Sequence, residues 1–531
     1  MRSSLLATAA VSVLLSACAG TASNSVMMAD GSTNVGAHPL TIVPMGEYRT
    51  GMLDESAAEI PAFDPETKRI FVVNGADKAI DILDMSNPDE LTKVGAITLS
   101  AWGKGANSVA IMNGVVAVAV ENADKQASGQ AVFFNTDGDF ISAVTVGALP
   151  DMIKFSPDGK HVLVANEGEP NDAFTNDPEG SVSIISLSGG VDGLSDSDVR
   201  TVDFTFLNNA DLPYGMRTSN PGTSSVAQDV EPEYIAVSKD SKTAYVSLQE
   251  NNAVAIIDIE TASVVRIAGL GFKDHSVHAF DASDKDGKIN IRTWSVMGMY
   301  MPDTIDAIEI GGKTWVLIAN EGDSRDYDGY SEETRVGKLT LDPVTFPNAS
   351  SLQKDENLGR LKTTTAQGDT DGDGDVDVIY SYGARSFSVL DADGQMVFDS
   401  GDAFEQYLAA NYANVFNASD TENYSRDNRS DDKGPEPEGI APRYVNSTPY
   451  AFIGLERQGG FMVYDLTNPS NPQFVTYHSD RRFSGSPEHD TAGELAPEGF
   501  QFVAATDSPT GNAMLVVASE VSGSTKVYDL K

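Results

Sequence analysis

Residues 230–259 read VEPEYIAVSKDSKTAYVSLQENNAVAIIDI, and this stretch decides the fold. An apolar run, Tyr234 to Val237, follows an acid; Lys239-Asp240-Ser241-Lys242 reverses the chain; a second run, Ala244 to Leu248, leads into Glu250, and a third spans Ala253 to Ile259. Short segments rich in Val, Ile, Tyr and Ala, punctuated by Gly, Asn, Asp and Ser, are the sequence form of antiparallel sheet. Versions of this unit recur roughly every 40 to 70 residues, and self-similarity at such spacing marks a repeat architecture. The class is all-β and the unit reads as one blade of a β-propeller, a closed ring of small sheets.

Outward from that blade, further units begin at Ala58, Asn107, Pro150 and Pro302, then at Gly359, Pro437 and Pro497. The expectation is eight blades, or seven if the units starting at Pro302 and Gly359 share strands. The last unit lacks a fourth strand, and the isolated run Leu40 to Thr50 (LTIVPMGEYRT) is expected to supply it and close the ring. Leu207 to Ala227 and Lys273 to Val296 lack periodicity and read as long insertions. Phe404 to Phe416 has the apolar spacing of a short helix.

The charge is the outlier of the composition: 36 basic against 78 acidic side chains, a net −42. Such a surface repels phosphate backbones, which excludes nucleic acid as a partner, and it suits multivalent cations or simple solubility. At the N-terminus, Arg2, the apolar run Leu5 to Leu15 and Leu15-Ser16-Ala17-Cys18 fit a bacterial lipoprotein leader, too short to span a bilayer permanently. Residues 1–17 are expected to be removed, Cys18 lipidated and residues 18–38 to act as a flexible tether, leaving 39–531 as a single propeller domain. Ala19 rather than Asp after the cysteine points to the outer membrane, periplasmic or surface-exposed. Cys18 is the only cysteine, so no intrachain disulfide forms.

Aligning the units exposes two sets of acids. Glu121, Glu167, Glu250, Glu321, Glu456 and Glu520 end second strands; Glu59, Asp151, Glu233, Asp303, Glu438 and Glu498 precede first strands, mostly after proline. An antiparallel second strand ends where the first began, so both sets fall on one face around the channel mouth. There they would bind Ca²⁺ or another hard divalent cation through carboxylate oxygens, or else cap backbone N–H groups at blade junctions. A separate run, Asp369-Thr-Asp371-Gly-Asp373-Gly-Asp375-Val-Asp377, spaces acids so that they wrap one Ca²⁺, with strands rather than helices flanking it. Asp281, Asp284 and Asp286 before Gly287 form a second such candidate. Arg325, Arg385 and Arg457 follow second-strand positions and could hold an anionic group such as phosphate. The chain has no zinc-ligand spacing among its six histidines, no G-x-S-x-G elbow, no P-loop and no dinucleotide fingerprint.

The segments LPDMIKFSPDGKHVLVANEGEPND, ANEGDSRDYDGYSEETRVG, GDTDGDGDVD, RSDDKGPEPEGI and VVASEVSGSTKVYDL resemble the bacterial choice-of-anchor I proteins. That family is similar to mesenchyme-specific cell-surface glycoproteins linked to biomineralisation, and its bacterial members are often described as alkaline-phosphatase-like. The resemblance implies a surface protein acting on phosphate esters; from their positions at the channel mouth, Glu167, Glu321, Glu456, Arg325 and Arg457 are the residues expected to carry catalysis. The alternative is a non-enzymatic scaffold, stiffened by calcium, for adhesion or for mineral and polymer binding through cations. Convergence of Arg325, Arg385 and Arg457 on one concave site with the acids would favour the enzyme, and their scatter the scaffold.

Overall fold

The computed structural model describes residues 37–219, 222 and 224–531; the leader, Cys18 and the tether through residue 36 lie outside the described residues. The strands form seven four-stranded antiparallel sheets among the described residues. Blades 1 to 4 carry the inner strands Pro61–Asp64, Gly105–Met112, Pro150–Phe155 and Pro232–Val237. Blades 5 to 7 begin with Ile305–Ile310, Pro437–Val445 and Pro497–Val503. Each inner strand packs beside the next, and that of blade 7 beside that of blade 1, so the ring is closed. Ile42–Arg49 pairs antiparallel with Ser524–Leu530 and supplies the fourth strand of blade 7, as the isolated run at the N-terminus predicts.

Seven sheets replace the expected eight because the two units after Pro302 share strands. Ile305–Ile310 and Lys313–Asn320 continue into Ser386–Asp391 and Met396–Asp399 as one blade, with residues 321–385 inserted between its second and third strands. The run VIYSYGA contributes only Tyr380–Ser381, which pairs with Met297–Met299 in a small separate sheet. Residues 338–341 form no strand of a blade; Val336–Lys338 is a 3₁₀ turn. The ordered domain also starts slightly earlier than the tether boundary suggests, since the His38 backbone N–H donates to Asp465 at 2.8 Å. The helix expected after Phe404 spans Ala403–Asn411 and buries Phe404 and Leu408.

Alternation along each strand presents two apolar rows, one to each neighbouring blade. The outcome is one apolar cluster at each of the seven blade interfaces, from Phe71, Val118 and Phe134 between blades 1 and 2 to Val72, Val516 and Val527 between blades 7 and 1. Each fully buried Val, Leu, Ile or Phe contributes about 1.5–3 kcal/mol, so stability is distributed around the ring. The inner strands are left free to carry polar side chains into the channel.

Candidate metal and anion site at the channel mouth

The second acid set is placed by a device that recurs in the blades. Leu149, Glu436 and Ala496 each precede a proline and adopt left-handed backbone, with φ of 45°, 51° and 55°. Their carbonyls accept the backbone N–H of Glu167, Glu456 and Glu520 at 2.9, 2.8 and 2.9 Å. In blade 5, Met301 has φ 45° and accepts from Gly322 at 3.0 Å. Left-handed backbone at a residue with a side chain costs on the order of 1–3 kcal/mol. Repeated at one place in four blades, it turns the acid after the proline into the channel and ties it to the end of the second strand.

The result is a cavity of about 380 Å³ on the axis, lined by Asp151, Glu233, Asp303, Glu321, Asp323, Glu438, Glu456 and Glu498 with Lys433 and Arg457 as its cations. Blades 1 and 2 offer Ile60 and Asn107 where blades 3 to 7 each contribute an acid. Glu321 is engaged by Lys433, and Glu456 by Arg457 at 3.0 Å. Asp151, Glu233, Asp303, Glu438 and Glu498 make no ion pair among the described residues, and one buried oxygen each of Glu233, Glu438 and Glu498 lacks a hydrogen-bond partner. Oxygens of Asp303, Glu321 and Glu438 lie within 4.8 Å of one another, as do those of Glu321, Glu436 and Glu456.

Burial raises the pKa of these groups, and their neighbours add to it. Glu59 is pushed up to about 8 by burial and then by Glu520. Asp151 is pushed up to about 7 by burial and Glu169. Glu233, Asp303, Glu438 and Glu498 are held well above the usual carboxylate range by burial and by one another. Glu167 and Glu456 follow for the same reason, and burial raises Glu250 to about 7 against the pull of Arg325. Crowded carboxylates that must stay near neutral suit a hard cation, whose charge would reverse every one of these shifts.

The other sequence candidates separate. Glu121 pairs with Lys104 at 3.1 Å, and Glu520 accepts from the Ser56 hydroxyl at 2.6 Å. Arg325 does not line the cavity: it is 2 % exposed, bonded to Glu231 and to the Asp229 carbonyl at 2.7 Å. Arg385 is likewise buried, gripping Glu405 at 2.6 Å and the Asp281, Ser430 and Asp432 carbonyls. Of the three arginines, only Arg457 reaches the chamber. Lys433 and Asp323, which sequence reasoning passed over, line it, and Glu436 lies behind Glu321 and Glu456; for Lys433 and Glu436 the signal was RSDDKGPEPEGI, where a lone lysine stands among acids. Ile60, Met152 and Tyr234 line both the chamber and a neighbouring cavity, in which Asp306 bridges Lys154 at 3.1 Å and Arg443.

In the Asp-rich loop, oxygens of Asp369, Asp371 and Asp377 gather within 4.8 Å, while Asp375 and Asp377 gather with Asp342, from a segment held alongside by the Leu341–Val376 bridge. Asp373 falls in neither group. Asp281, Asp284 and Asp286 do not form a shared site: Asp284 pairs with Lys285 and Arg360, while Asp281 accepts from Asn290 at 2.6 Å.

A family model for the choice-of-anchor I domain matches residues 59–469. The chain is 30% identical over 197 residues to Gigasin-3a of Magallana gigas, covering 34% of this chain and 67% of that protein. It is 24% identical over 309 residues to the mesenchyme-specific cell surface glycoprotein of Strongylocentrotus purpuratus, covering 52% of this chain but only 40% of that one. Among solved structures, the β-propeller domain of Myceliophteria thermophila Cps50 (Swd1) is 8% identical with a TM-score of 0.43, over 92% of this chain and 99% of that one. The match across residues 59–469, which takes in six of the seven inner strands and the whole 321–385 insertion, makes this chain a member of the choice-of-anchor I domain family.

Proposed function

We propose that this is a cell-surface propeller whose channel mouth binds divalent cations, Ca²⁺ foremost, and hydrolyses phosphate monoesters. The observation that carries it is the group of five chamber carboxylates without cationic partners, three of them with a buried unpaired oxygen. Asp303, Glu321 and Glu438 would hold the ion, with Glu233 and Glu498 beside them. A cation there supplies charge that polarises a phosphoryl oxygen and acidifies a water. Arg457 and Lys433 offer N–H donors to the anionic substrate from the chamber wall. Surface location follows the family and the mesenchyme-specific cell surface relative, and the Cys18 leader motif would supply an outer-membrane lipid anchor. The Asp369–Asp377 loop, joined by Asp342, would bind Ca²⁺ as a structural ion.

A chromogenic phosphate monoester tests the reading, assayed with added Ca²⁺ and after exhaustive chelation, on the chain from Ala19 and on its Glu321→Gln variant. Calcium-dependent turnover lost in the variant is expected. Absence of turnover together with a calcium-dependent rise in melting temperature turns the reading into its alternative, a calcium-stiffened scaffold for adhesion or mineral binding. The burial of Arg325 and Arg385 in internal ion pairs favours that alternative.

A further inference from the structure

A second cavity, about 280 Å³, opens off the chamber and shares Asp323, Lys433 and Arg457 with it, yet its charge runs the other way. Four cations line it against three carboxylates, in a chain that carries −42 overall. The cause is Glu436, which is 0 % exposed and receives three cations at once. Arg429 donates Nε at 3.0 Å and Nη2 at 2.6 Å, Arg457 donates Nε at 3.1 Å, and Lys433 Nζ lies at 3.2 Å. Their pull holds Glu436 well below the usual carboxylate range, against the burial that would raise it. One buried carboxylate therefore gathers three of the cavity's cations, which pair in addition with Glu321, Asp432, Asp420 and Glu456.

The donors at that opening are only partly spent. Arg429 Nη1 makes no bond among the described residues. Lys362, which shares Asp432 with Arg429, is suspended between Glu333 at 2.8 Å and Asp432 at 3.3 Å. Tyr382, 3 % exposed, lines the same cavity. We infer that this side cavity is a phosphate-binding site, in which Lys362 and Arg429 take the oxygens of a phosphate group. Planar guanidinium forks and ammonium groups around one small volume match the several acceptors of that anion, and charge-assisted bonds to it are the strong ones. The site would hold the substrate's or product's phosphate next to the metal chamber, so it deepens the reaction proposed above, but its geometry does not depend on it.

The test is calorimetric titration of inorganic phosphate into the chelated full chain at low salt, so that no metal contributes. Binding is expected in the wild type, weakened about tenfold in Lys362→Met, where one charge-assisted bond is lost. Glu333→Gln releases Lys362 from its competing carboxylate and should tighten binding several-fold, a gain that a damaged fold cannot produce. Absence of phosphate binding, or affinities unmoved by both substitutions, overturns the site. Phosphate binding without ester turnover upholds the site and defeats the phosphatase reading; turnover without phosphate binding does the reverse.

Discussion

Replacing Glu438 by Gln isolates the electrostatic cost of crowding carboxylates in the chamber. Its oxygens lie within 4.8 Å of those of Asp303 and Glu321, and Lys433 already offsets Glu321, so the Asp303–Glu438 pair gives the scale of the repulsion removed, to which Glu456 and Glu498 add. At an effective dielectric constant of about 20, two charges at that spacing repel by about 3.5 kcal/mol, falling to about 1 kcal/mol in a water-like environment. Partial protonation caps the cost, because burial raises both groups. Unfolding the unit Ala37–Lys531 carries an entropy on the order of 1 kcal/mol/K, so metal-free Glu438→Gln should melt about 1–3 °C higher than wild type at pH 8. The gain should vanish near pH 4, where both carboxyls are neutral. With Ca²⁺ at about 100 times its Kd the wild type gains about 2.7 kcal/mol, and the variant should lose most of that shift. Differential scanning calorimetry at pH 8, with chelator and with Ca²⁺, reads both effects. A variant that melts lower than wild type without metal, or that keeps the full calcium shift, refutes the idea that these carboxylates are crowded for the sake of a cation.

Arg325→Met should destabilise by about 3–5 kcal/mol, because it strands Glu231 and Asp229 in the interior, and any lost activity should track lost fold by circular dichroism. Glu494, raised to about 7 by burial against the pull of Arg49, binds its proton more tightly folded than unfolded. Stability should therefore fall as pH rises from about 4.5 to 7 and level off above; Glu494→Gln removes about 3 kcal/mol of that slope, read from melting temperature against pH in both proteins. Asp306→Ala leaves Lys154 and Arg443 facing each other in the channel and should cost about 1–3 kcal/mol in urea unfolding. Asp377→Asn, at the carboxylate common to both groups in the Asp-rich loop, should abolish calcium-dependent slowing of hydrogen exchange in residues 367–378 while sparing the blades.

The ring, its closing strand and the acids after proline were legible because repetition makes each of them visible several times over. Position equivalence, rather than any one residue, identified Asp151, Glu233, Asp303, Glu438 and Glu498 as neighbours. Where a feature occurs once, that signal disappears. Lys433 and Glu436 stand in a single irregular segment, and nothing local shows that Arg429 and Arg457 fold onto Glu436. The spacing of Arg325 after its strand is the same in kind as that of Arg457. The tertiary course of residues 322–332 carries Arg325 away to Asp229 and Glu231 in front of blade 4 instead of into the chamber. Blade 5 was overcounted because apolar runs inside its insertion satisfy strand patterning, and patterning does not say which sheet a strand joins.

The strand that completes blade 7 also sets the timetable of folding. Ile42 pairs with Leu530, almost the whole chain away, so synthesis at about 5–20 residues per second separates the two by roughly 25–100 s. For that interval Ile42–Arg49 is an unpaired edge, the kind of segment that recruits neighbouring chains. Its sequence, IVPMGEYR, guards against this: Pro44 removes a donor, the register breaks between Pro44 and Glu47, and Glu47 and Arg49 charge one end. A chain truncated before Ser524 should consequently persist as an aggregation-prone open ring, which makes Ser524–Leu530 the strand that commits the ring to closing.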